Sequence, residues 1–215
     1  MIDGIHLKIC GLTSLADARF AERAGADHLG FILYPGSPRH VSLEAFHAIQ
    51  GGLPEGKKVA VSVSPTAGEL REFRMAGADI LQIHFPLDTP QETVREWSAV
   101  AGPGRLWLVP RLTPESDVPE WMLPLADAFL LDTYSPVKFG GTGQPGDWSK
   151  FARHRRSFPG KTWILSGGLS PENIAAAIDE TGAGWIDVNS GVESAPGRKD
   201  RAKIEALVAN IKARR

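Results

Sequence analysis

Short apolar runs of β-forming residues recur along this chain, and their regular recurrence restricts the possible folds more than any other feature. Eight runs end near positions 10, 33, 63, 83, 109, 131, 165 and 188. Segments of helical periodicity separate them at 15–24, 43–49, 67–76, 93–100, 148–156, 171–180 and 199–212, with a weaker segment at 117–125 that prolines interrupt. The sequence therefore predicts a repeated strand–helix unit.

A recurring phrase supports this repeat. Ala-Gly-Ala-Asp stands directly before the second and fourth runs, at 24–27 and 76–79. A glycine that ends a helix just before a strand is typical of α/β connections. Eight such units predict a (β/α)8 TIM barrel, which we expect to be a single domain over residues 1–215. The alternative, a doubly wound open sheet, usually has a glycine-rich turn directly after its first strand, whereas this strand leads into Cys10-Gly11-Leu12-Thr13.

Composition restricts the kinds of partner. The 24 lysine and arginine residues nearly balance the 25 aspartate and glutamate residues, so the net charge of -1 favours neither nucleic acid nor a membrane surface. No apolar run reaches about 18 residues, and the N-terminus lacks the pattern of a secretion signal. The single cysteine cannot form an internal disulfide. We therefore expect a cytoplasmic protein that binds a small molecule, with no nucleic acid and no membrane as partner.

Alternation along the predicted strands collects polar side chains on one side. Lys8 and Cys10 share one face of the first strand, and Leu7 and Ile9 share the other. The polar residues collected in this way are Lys8, Cys10, Gln82, His84, Asp132 and Asp187. Active sites of such barrels lie at the C-terminal strand ends, so we expect one shared mouth. The eighth strand lies beside the first in a closed barrel, and Asp187 is therefore expected to pair with the buried ammonium of Lys8.

Glycine-rich turns follow the later predicted strands, at 140–143, 167–168 and 190–191. Backbone N–H groups can approach an anion closely where no Cβ is present, and the turns after strands seven and eight are a common phosphate site in this fold. Ser170 and Pro171 predict an N-cap and a first helical residue behind the second turn. The turns therefore predict a phosphate site, with ordinary turn glycines as the alternative. A match to the dinucleotide fingerprint at 141–146 lies far beyond its strand and contains a proline, so we reject it.

Three side chains near the predicted mouth have two interpretations each. Cys10 is either a small buried hydrophobic residue or an acid–base group whose thiolate the local positive potential favours. Asp132 either caps the following loop or is a second acid–base group across the mouth. Arg39 lies in a loop stiffened by Pro35 and Pro38, and it is either a solvated surface residue or a partner for a carboxylate. The residue types alone leave these alternatives open.

Several stretches together resemble one known family. In chain order they are Lys8-Ile9-Cys10-Gly11, Ser37-Pro38-Arg39, Gln82-Ile83-His84, Leu131-Asp132-Thr133, Gly140-Gly141-Thr142-Gly143, Gly167-Gly168-Leu169-Ser170 and Ser190-Gly191-Val192-Glu193. This pattern closely resembles the phosphoribosylanthranilate isomerases of tryptophan biosynthesis and spans the whole chain. The combination of the first and last motifs is its most specific part.

The resemblance implies a reaction and a set of roles. The reaction is the Amadori rearrangement of N-(5'-phosphoribosyl)anthranilate to 1-(2-carboxyphenylamino)-1-deoxyribulose 5-phosphate, without a cofactor or a metal ion. Asp132 would be the general acid, Cys10 the general base, and Arg39 the partner of the anthranilate carboxylate. The other implied residues are His84, Gly140 and Gly141 at the substrate, Gly167, Gly168, Ser190 and Gly191 at the phosphate, and Lys8, Gln82 and Asp187 in support. We expect a monomer or a homodimer.

Four positions depart from the family's usual pattern. Ser62 and Ser64 stand where phenylalanine and asparagine are usual, Phe85 replaces a glycine, and Asn189 replaces a serine. We expect Ser62 and Ser64 to point inward and to leave space that Phe85 or Arg111 fills, which would alter substrate selectivity. The competing functions are an enzyme acting on a related aminosugar phosphate and a noncatalytic phosphate-binding barrel.

Overall fold

Eight parallel strands close into a barrel in the computed structural model, which describes residues 1–132 and 147–214. The strands are β1 (His6–Ile9), β2 (His28–Ile32), β3 (Lys58–Val63), β4 (Ile80–Pro86), β5 (Leu106–Arg111), β6 (Ala128–Leu131), β7 (Thr162–Leu165) and β8 (Trp185–Val188). They follow one another around the barrel in chain order, and β8 pairs with β1 to close it. This closure confirms the predicted TIM barrel and excludes the open sheet.

Seven α-helices surround the barrel in the part of the chain that the structure describes. They are α1 (Leu15–Ala24), α2 (Leu43–Gln50), α3 (Ala67–Met75), α4 (Gln91–Ala101), α5 (Trp148–Ser157), α6 (Ile174–Thr181) and α7 (Arg201–Lys212). Between β5 and β6 a 3₁₀ helix, Glu120–Leu125, contains Pro124, which cannot donate a helical hydrogen bond. A short ribbon of β9 (Glu193–Ala195) and β10 (Arg198–Lys199) precedes α7. Within these ranges no helix has the length and apolar composition of a membrane span.

The repeated phrase before β2 and β4 has a structural explanation. Gly25 ends α1 in the left-handed conformation, with φ of 112°. The Asp27 side chain then accepts a hydrogen bond from the Leu7 N–H at 2.9 Å, and Asp79 accepts one from the Lys58 N–H at 2.9 Å. Each phrase therefore ends a helix and ties the beginning of the next strand to the strand before it.

Side chains form two apolar layers, one inside the barrel and one between the barrel and the helices. The inner layer comprises Cys10, Val59, Val61, Trp107, Val109, Ala128, Leu130 and Ile164. Outward residues such as Phe31 and Ile83 belong to the larger outer layer. The predicted alternation of β1 is confirmed, because Cys10 lies in the inner layer while Leu7 and Ile9 lie in the outer one.

Aromatic rings close the N-terminal end of the barrel. Trp185 stacks on His6, with 4.1 Å between ring centroids, and His28 packs against Trp107 at 5.0 Å and Trp185 at 5.3 Å. Burial lowers the pKa of His28 to about 4, although the nearby Asp27 opposes this. The His28 ring is therefore neutral at physiological pH.

The prediction that Ser62 and Ser64 point inward is wrong. Val61 and Val63 line the inside of the barrel, so the alternation of β3 places Ser62 on its outer face. Ser64 lies beyond the strand and is exposed, with φ of 43°. Phe85 also points outward and packs edge-on against the tryptophan of α4 at 5.2 Å. The serines therefore leave no space inside the barrel, because the two valines hold the inward positions of β3.

The predicted start of α6 is also wrong. The helix begins at Ile174, and Asn173 is its cap residue. The Asn173 side chain accepts a hydrogen bond from the Ser170 N–H at 2.9 Å and donates one to the Gly168 carbonyl at 2.8 Å. These bonds hold the chain in a turn against the glycine loop, which keeps Ser170 from acting as the N-cap.

Candidate active site

A cavity opens at the C-terminal end of the barrel and contains about 750 Å³ of empty space, counting its open mouth. It is lined by Cys10, Ile32, Tyr34, Ser37, Arg39, Val61, Val63, Gln82, His84, Asp132, Ser166, Gly167, Gly168, Leu169, Asp187, Asn189 and Ser190. Most of the sequence-predicted site residues therefore meet around one cavity. Lys8 lies beneath it, and Gly140 and Gly141 lie outside the described residues.

Cys10, Lys8 and Asp187 form one buried cluster beside the cavity. The Lys8 Nζ lies 2.9 Å from the Asp187 Oδ1, and the two side chains are only 1% and 6% exposed, which confirms the predicted pair. A Cβ built on Gly30 of β2 would lie 2.9 Å from both the Cys10 Sγ and the Lys8 Nζ. A glycine at position 30 therefore leaves the room in which these two side chains meet.

Burial and neighbouring charges compete over the protonation of this cluster, and burial prevails at Cys10. It raises the pKa of the Cys10 thiol, and the ammonium groups of Lys8 and Lys199 offset only part of that rise, to which Asp187 adds. The expected positive potential is present and lowers the thiol pKa, but desolvation outweighs it, so the net pKa lies above its usual value. Burial alone lowers the pKa of Lys8, but Asp187 and Cys10 raise it above its usual value. Lys8 is consequently a cation.

Asp132 directly follows β6 and lines the same cavity as Cys10. Its side chain is partly buried. Cys10 follows β1, so the two predicted acid–base groups reach the cavity from different sides of the barrel. Both side chains can therefore reach a ligand that occupies this cavity.

His84 is held as a neutral ring. The Gln82 side-chain amide hydrogen-bonds to the His84 ring, with 2.9 Å between the Gln82 Nε2 and the His84 Nε2. Burial, with a contribution from Lys8, lowers the pKa of His84 to about 3. The ring is therefore neutral at physiological pH and contributes hydrogen bonding rather than a charge.

Arg39 is fixed by a carboxylate rather than solvated. Its Nε donates to the Glu193 Oε1 at 2.9 Å, and its Nη2 donates to Oε2 at 2.7 Å. Lys199 Nζ donates to the same carboxylate at 2.9 Å and to the Asn189 Oδ1 at 3.0 Å. Burial alone would raise the pKa of Glu193. Arg39 and Lys199 lower this pKa by more than burial raises it, so the net pKa is below its usual value and the carboxyl group stays ionised. This network sets the direction of the guanidinium at the cavity.

The glycine turns after β7 and β8 face the cavity from one side. Gly167 and Gly168 have φ of 92° and 62°, in the region that favours glycine. Ser190 begins a 3₁₀ turn, Ser190–Val192, and lines the cavity. Gly191 packs against the other turn, since a Cβ there would overlap the carbonyl oxygen of Leu169. The two turns are therefore in direct contact.

Sequence reasoning assigned no role to Gly30, Glu193 or Lys199. An isolated glycine inside an apolar strand is a signal of close approach, so Gly30 was recognisable from the sequence. Glu193 belonged to the last motif of the resemblance, but nothing in the sequence indicated that it pairs with Arg39, which lies 154 residues away along the chain.

Fold and site together define the class of the protein. It is a (β/α)8 barrel with a cavity at the C-terminal ends of its strands that both polar and apolar side chains line. Within residues 1–132 and 147–214, no three His, Cys, Asp or Glu side chains are grouped in a way that could hold a metal ion. The family model of N-(5'-phosphoribosyl)anthranilate isomerase matches residues 7–210. The chain belongs to this family, as the sequence motifs predicted.

Individual relatives agree with the family model. An N-(5'-phosphoribosyl)anthranilate isomerase from Neisseria gonorrhoeae is 37% identical over 209 residues, which cover 95% of each chain. The crystal structure of phosphoribosyl anthranilate isomerase from Thermotoga maritima is 33% identical, with a TM-score of 0.79 over 97% of this chain and 98% of that one. Another isomerase structure, in complex with reduced 1-(o-carboxyphenylamino)-1-deoxyribulose 5-phosphate, is 32% identical, with a TM-score of 0.77 and the same coverage.

Proposed function

We propose that this chain catalyses the Amadori rearrangement of N-(5'-phosphoribosyl)anthranilate to 1-(2-carboxyphenylamino)-1-deoxyribulose 5-phosphate. Family membership supports the reaction, and the relative in complex with the reduced form of that product supports the substrate class. The observation that carries the proposal is that Cys10 and Asp132 line one cavity together with the glycine turn at 167–168. An acid, a base and an anion cradle are the groups that this rearrangement needs.

Asp132 is the general acid in this proposal. It donates a proton to the oxygen of the furanose ring, and the bond from that oxygen to C1' breaks. The lone pair of the anthranilate nitrogen forms the C1'–N double bond of a protonated Schiff base, and the opened sugar keeps the proton as a hydroxyl group. General acid assistance of this kind contributes about 10²–10⁴-fold to a rate.

Cys10 is the general base of the second step. Its thiolate takes the proton from C2', the C2'–H electrons form the C1'–C2' double bond, and the nitrogen recovers its lone pair. The resulting enol-amine tautomerises to the ketone product. Because burial raises the pKa of the Cys10 thiol, we expect the rate to increase with pH until the thiol is ionised.

Arg39 and the glycine turns bind the two ends of the substrate. Glu193 engages the Nε and Nη2 of Arg39, which leaves the Nη1 edge for the anthranilate carboxylate. Backbone N–H groups of Gly167, Gly168 and the turn that begins at Ser190 hold the phosphate. The positive φ of both glycines supports this role, since such a turn without a Cβ leaves backbone N–H groups open to the close approach of an anion.

The proposal extends to partners and location. We expect a cytoplasmic monomer or homodimer whose partner is a phosphorylated small molecule. The near balance of 24 basic and 25 acidic residues supports this expectation, because it provides no field for a nucleic acid. Light scattering coupled to size exclusion distinguishes a monomer from a homodimer.

The test is turnover of freshly generated phosphoribosylanthranilate, followed by the loss of its fluorescence. Cys10→Ser and Asp132→Asn are each expected to lower kcat by about 10²–10⁴-fold with little effect on folding. Asp127→Asn is the matched control, because Asp127 is exposed and precedes the same strand that Asp132 follows. Near-normal turnover in either active-site variant would remove that residue from its role. Binding of the reduced product without turnover of substrate would instead favour the noncatalytic barrel.

A further inference from the structure

We propose that Lys8 is a positioning residue: its ammonium group, anchored by Asp187, orients the Cys10 sulfur and stabilises the thiolate. The inference rests on the proposed function in two respects, namely that Cys10 is the base and that Asp132 is the protonated acid. It assigns a part in the reaction to a side chain that lies beneath the cavity and does not touch the substrate.

The position of Lys8 on β1 places its ammonium beside the sulfur. Lys8 and Cys10 share the inner face of this strand. The strand register sets Lys8 directly opposite Asp187 on β8, and the Nζ lies 2.9 Å from the Asp187 Oδ1. The ammonium is therefore tethered at one point below the thiol.

Gly30 of β2 shows how closely the two groups approach. A Cβ at this position would lie 2.9 Å from the Cys10 Sγ, the Lys8 Cε and the Lys8 Nζ. The Cys10 sulfur and the Lys8 ammonium nitrogen therefore both pack against the same side of Gly30. A side chain larger than hydrogen at position 30 would require these groups to shift, which gives this isolated glycine in a buried strand a physical reason.

Stability alone does not account for the buried pair. Desolvation of two charges offsets most of their attraction, and apolar residues of similar volume often serve equally well. The neighbouring inward positions are apolar, as at Val59, Val61 and Ile164. An ammonium group among them does what an apolar residue cannot, because it balances a negative charge on the sulfur.

The charged groups around Cys10 leave one positive charge unbalanced. They are Lys8 on β1, Asp187 on β8, Lys199 on β10 and Arg39 after β2, the last two sharing the carboxylate of Glu193. His84 on β4 is neutral, and Asp132 after β6 is the proton donor of the proposed reaction. Three cations therefore face two carboxylates. A thiolate at Cys10 makes the cluster neutral.

The experiment measures ionisation of the thiol without substrate. Cys10 is the only cysteine, so thiolate absorbance in the ultraviolet, with Cys10→Ser as the blank, reports one group. Lys8→Met is expected to raise the thiol pKa by about 1 to 3 units, the usual effect of losing a close opposite charge. Asp187→Asn is expected to lower it, because a negative charge is lost and the ammonium stays. If the Lys8–Asp187 pair were purely structural, the thiol pKa would not shift in opposite directions in these two variants, since both break the same contact.

A second comparison guards against misfolding. Lys8→Met leaves a buried carboxylate unpaired, so the substitution is repeated in the Asp187→Asn background. There it is expected to raise the thiol pKa by at least about 1 unit relative to Asp187→Asn alone. Lys58→Met is the matched control, because Lys58 is a buried lysine that pairs with Asp79 at 3.4 Å near the opposite end of the barrel. Its replacement is expected to leave the thiol pKa unchanged, and circular dichroism checks the fold of every variant.

Turnover separates this inference from the proposed function. The pH at which kcat reaches half of its maximum should move upward in Lys8→Met together with the thiol pKa. Unchanged titration and unchanged pH–rate profiles in an active Lys8→Met enzyme would overturn the role of Lys8 and leave the function intact. Shifts of opposite sign in a protein that does not turn over phosphoribosylanthranilate would support the contact and reject the function. Shifts of the same sign in the two single variants would also overturn the inference.

Discussion

His28, at the N-terminal end of the barrel, is expected to make the fold sensitive to acid. Its Nδ1 is buried without a hydrogen-bond partner in the described part of the chain, and its ring packs against Trp107 and Trp185. Burial lowers its pKa from 6.5 to about 4 in the folded protein. The unfolded chain therefore takes up a proton at pH values where the folded ring stays neutral. The contribution of the neutral His28 ring to the free energy of unfolding is fully present above pH 6.5 and is lost as the pH falls toward 4.

The size of the effect follows from the difference between the two pKa values. That difference, between 6.5 and about 4, corresponds to about 3 kcal/mol in full. Of this, about 2 kcal/mol develops between pH 7 and pH 5. His28→Phe keeps the aromatic packing and removes the titration. It also removes a buried nitrogen that lacks a partner, so the variant should be at least as stable as the wild type near neutral pH.

Urea unfolding of both proteins at about pH 7 and pH 5 measures this contribution as a difference of differences, in which all other titrating groups cancel. The wild type is expected to lose about 2 kcal/mol more than His28→Phe over this interval, or roughly 0.7–1 M in urea midpoint. His47→Gln is the control, since His47 is exposed on α2 and should follow the wild type. Parallel losses in the wild type and His28→Phe would refute the reasoning.

Two further perturbations test the surroundings of the cavity. Glu193→Gln removes the anion shared by two cations and should lower the free energy of unfolding in urea by about 3 kcal/mol. Asp117→Asn breaks an exposed ion pair and should lower the free energy of unfolding by less than about 1 kcal/mol. Equal losses in Glu193→Gln and Asp117→Asn would contradict the argument that burial strengthens the Glu193 network. Gly191→Ala should push the two glycine turns apart and raise KM for the phosphorylated substrate by about tenfold, or about 1.4 kcal/mol. Gly184→Ala, where a Cβ meets open space, should leave KM unchanged, and similar KM values in both variants would sink the packing argument.

The barrel and its inner face could be predicted because both depend on local periodicity. The recurring strand–helix unit required only the spacing of apolar runs and the glycine before a strand. Alternation then placed Lys8, Cys10 and Asp187 on the inner face, since strands of a closed barrel have a fixed inside. Their contact followed from one further premise, that the first and eighth strands are neighbours.

β3 shows where this reasoning fails. Its sequence, Lys58 to Val63, is buried on both faces, so no change in polarity marks which side faces inward. An error of one residue in the assumed alternation exchanges the two faces of a strand. This error predicted Ser62 to face inward, whereas Val63 does. The start of α6 failed for a different reason, because a tertiary turn stabilised by Asn173 replaced the local N-cap pattern.

The electrostatics of the cavity were the least predictable feature. Sequence supplied the charged residue types near Cys10 but not the depth of burial, which decides the protonation of the thiol. The link from Arg39 to Glu193 and Lys199 depends on a ribbon that follows the last barrel strand, far along the chain from Arg39. Neither the depth of burial of Cys10 nor the link between Arg39 and Glu193 can be read from a local sequence pattern.

Pairing of the first strand with the last has a consequence for synthesis on the ribosome. Lys8 and Asp187 are separated by 179 residues, so the ammonium emerges long before its partner. A nascent chain that lacks β8 would have to desolvate this charge without its partner in order to pack β1, so we expect β1 to pack stably only after β8 has been made. The group that supports the thiol in the finished protein would thus also favour ring closure late in synthesis.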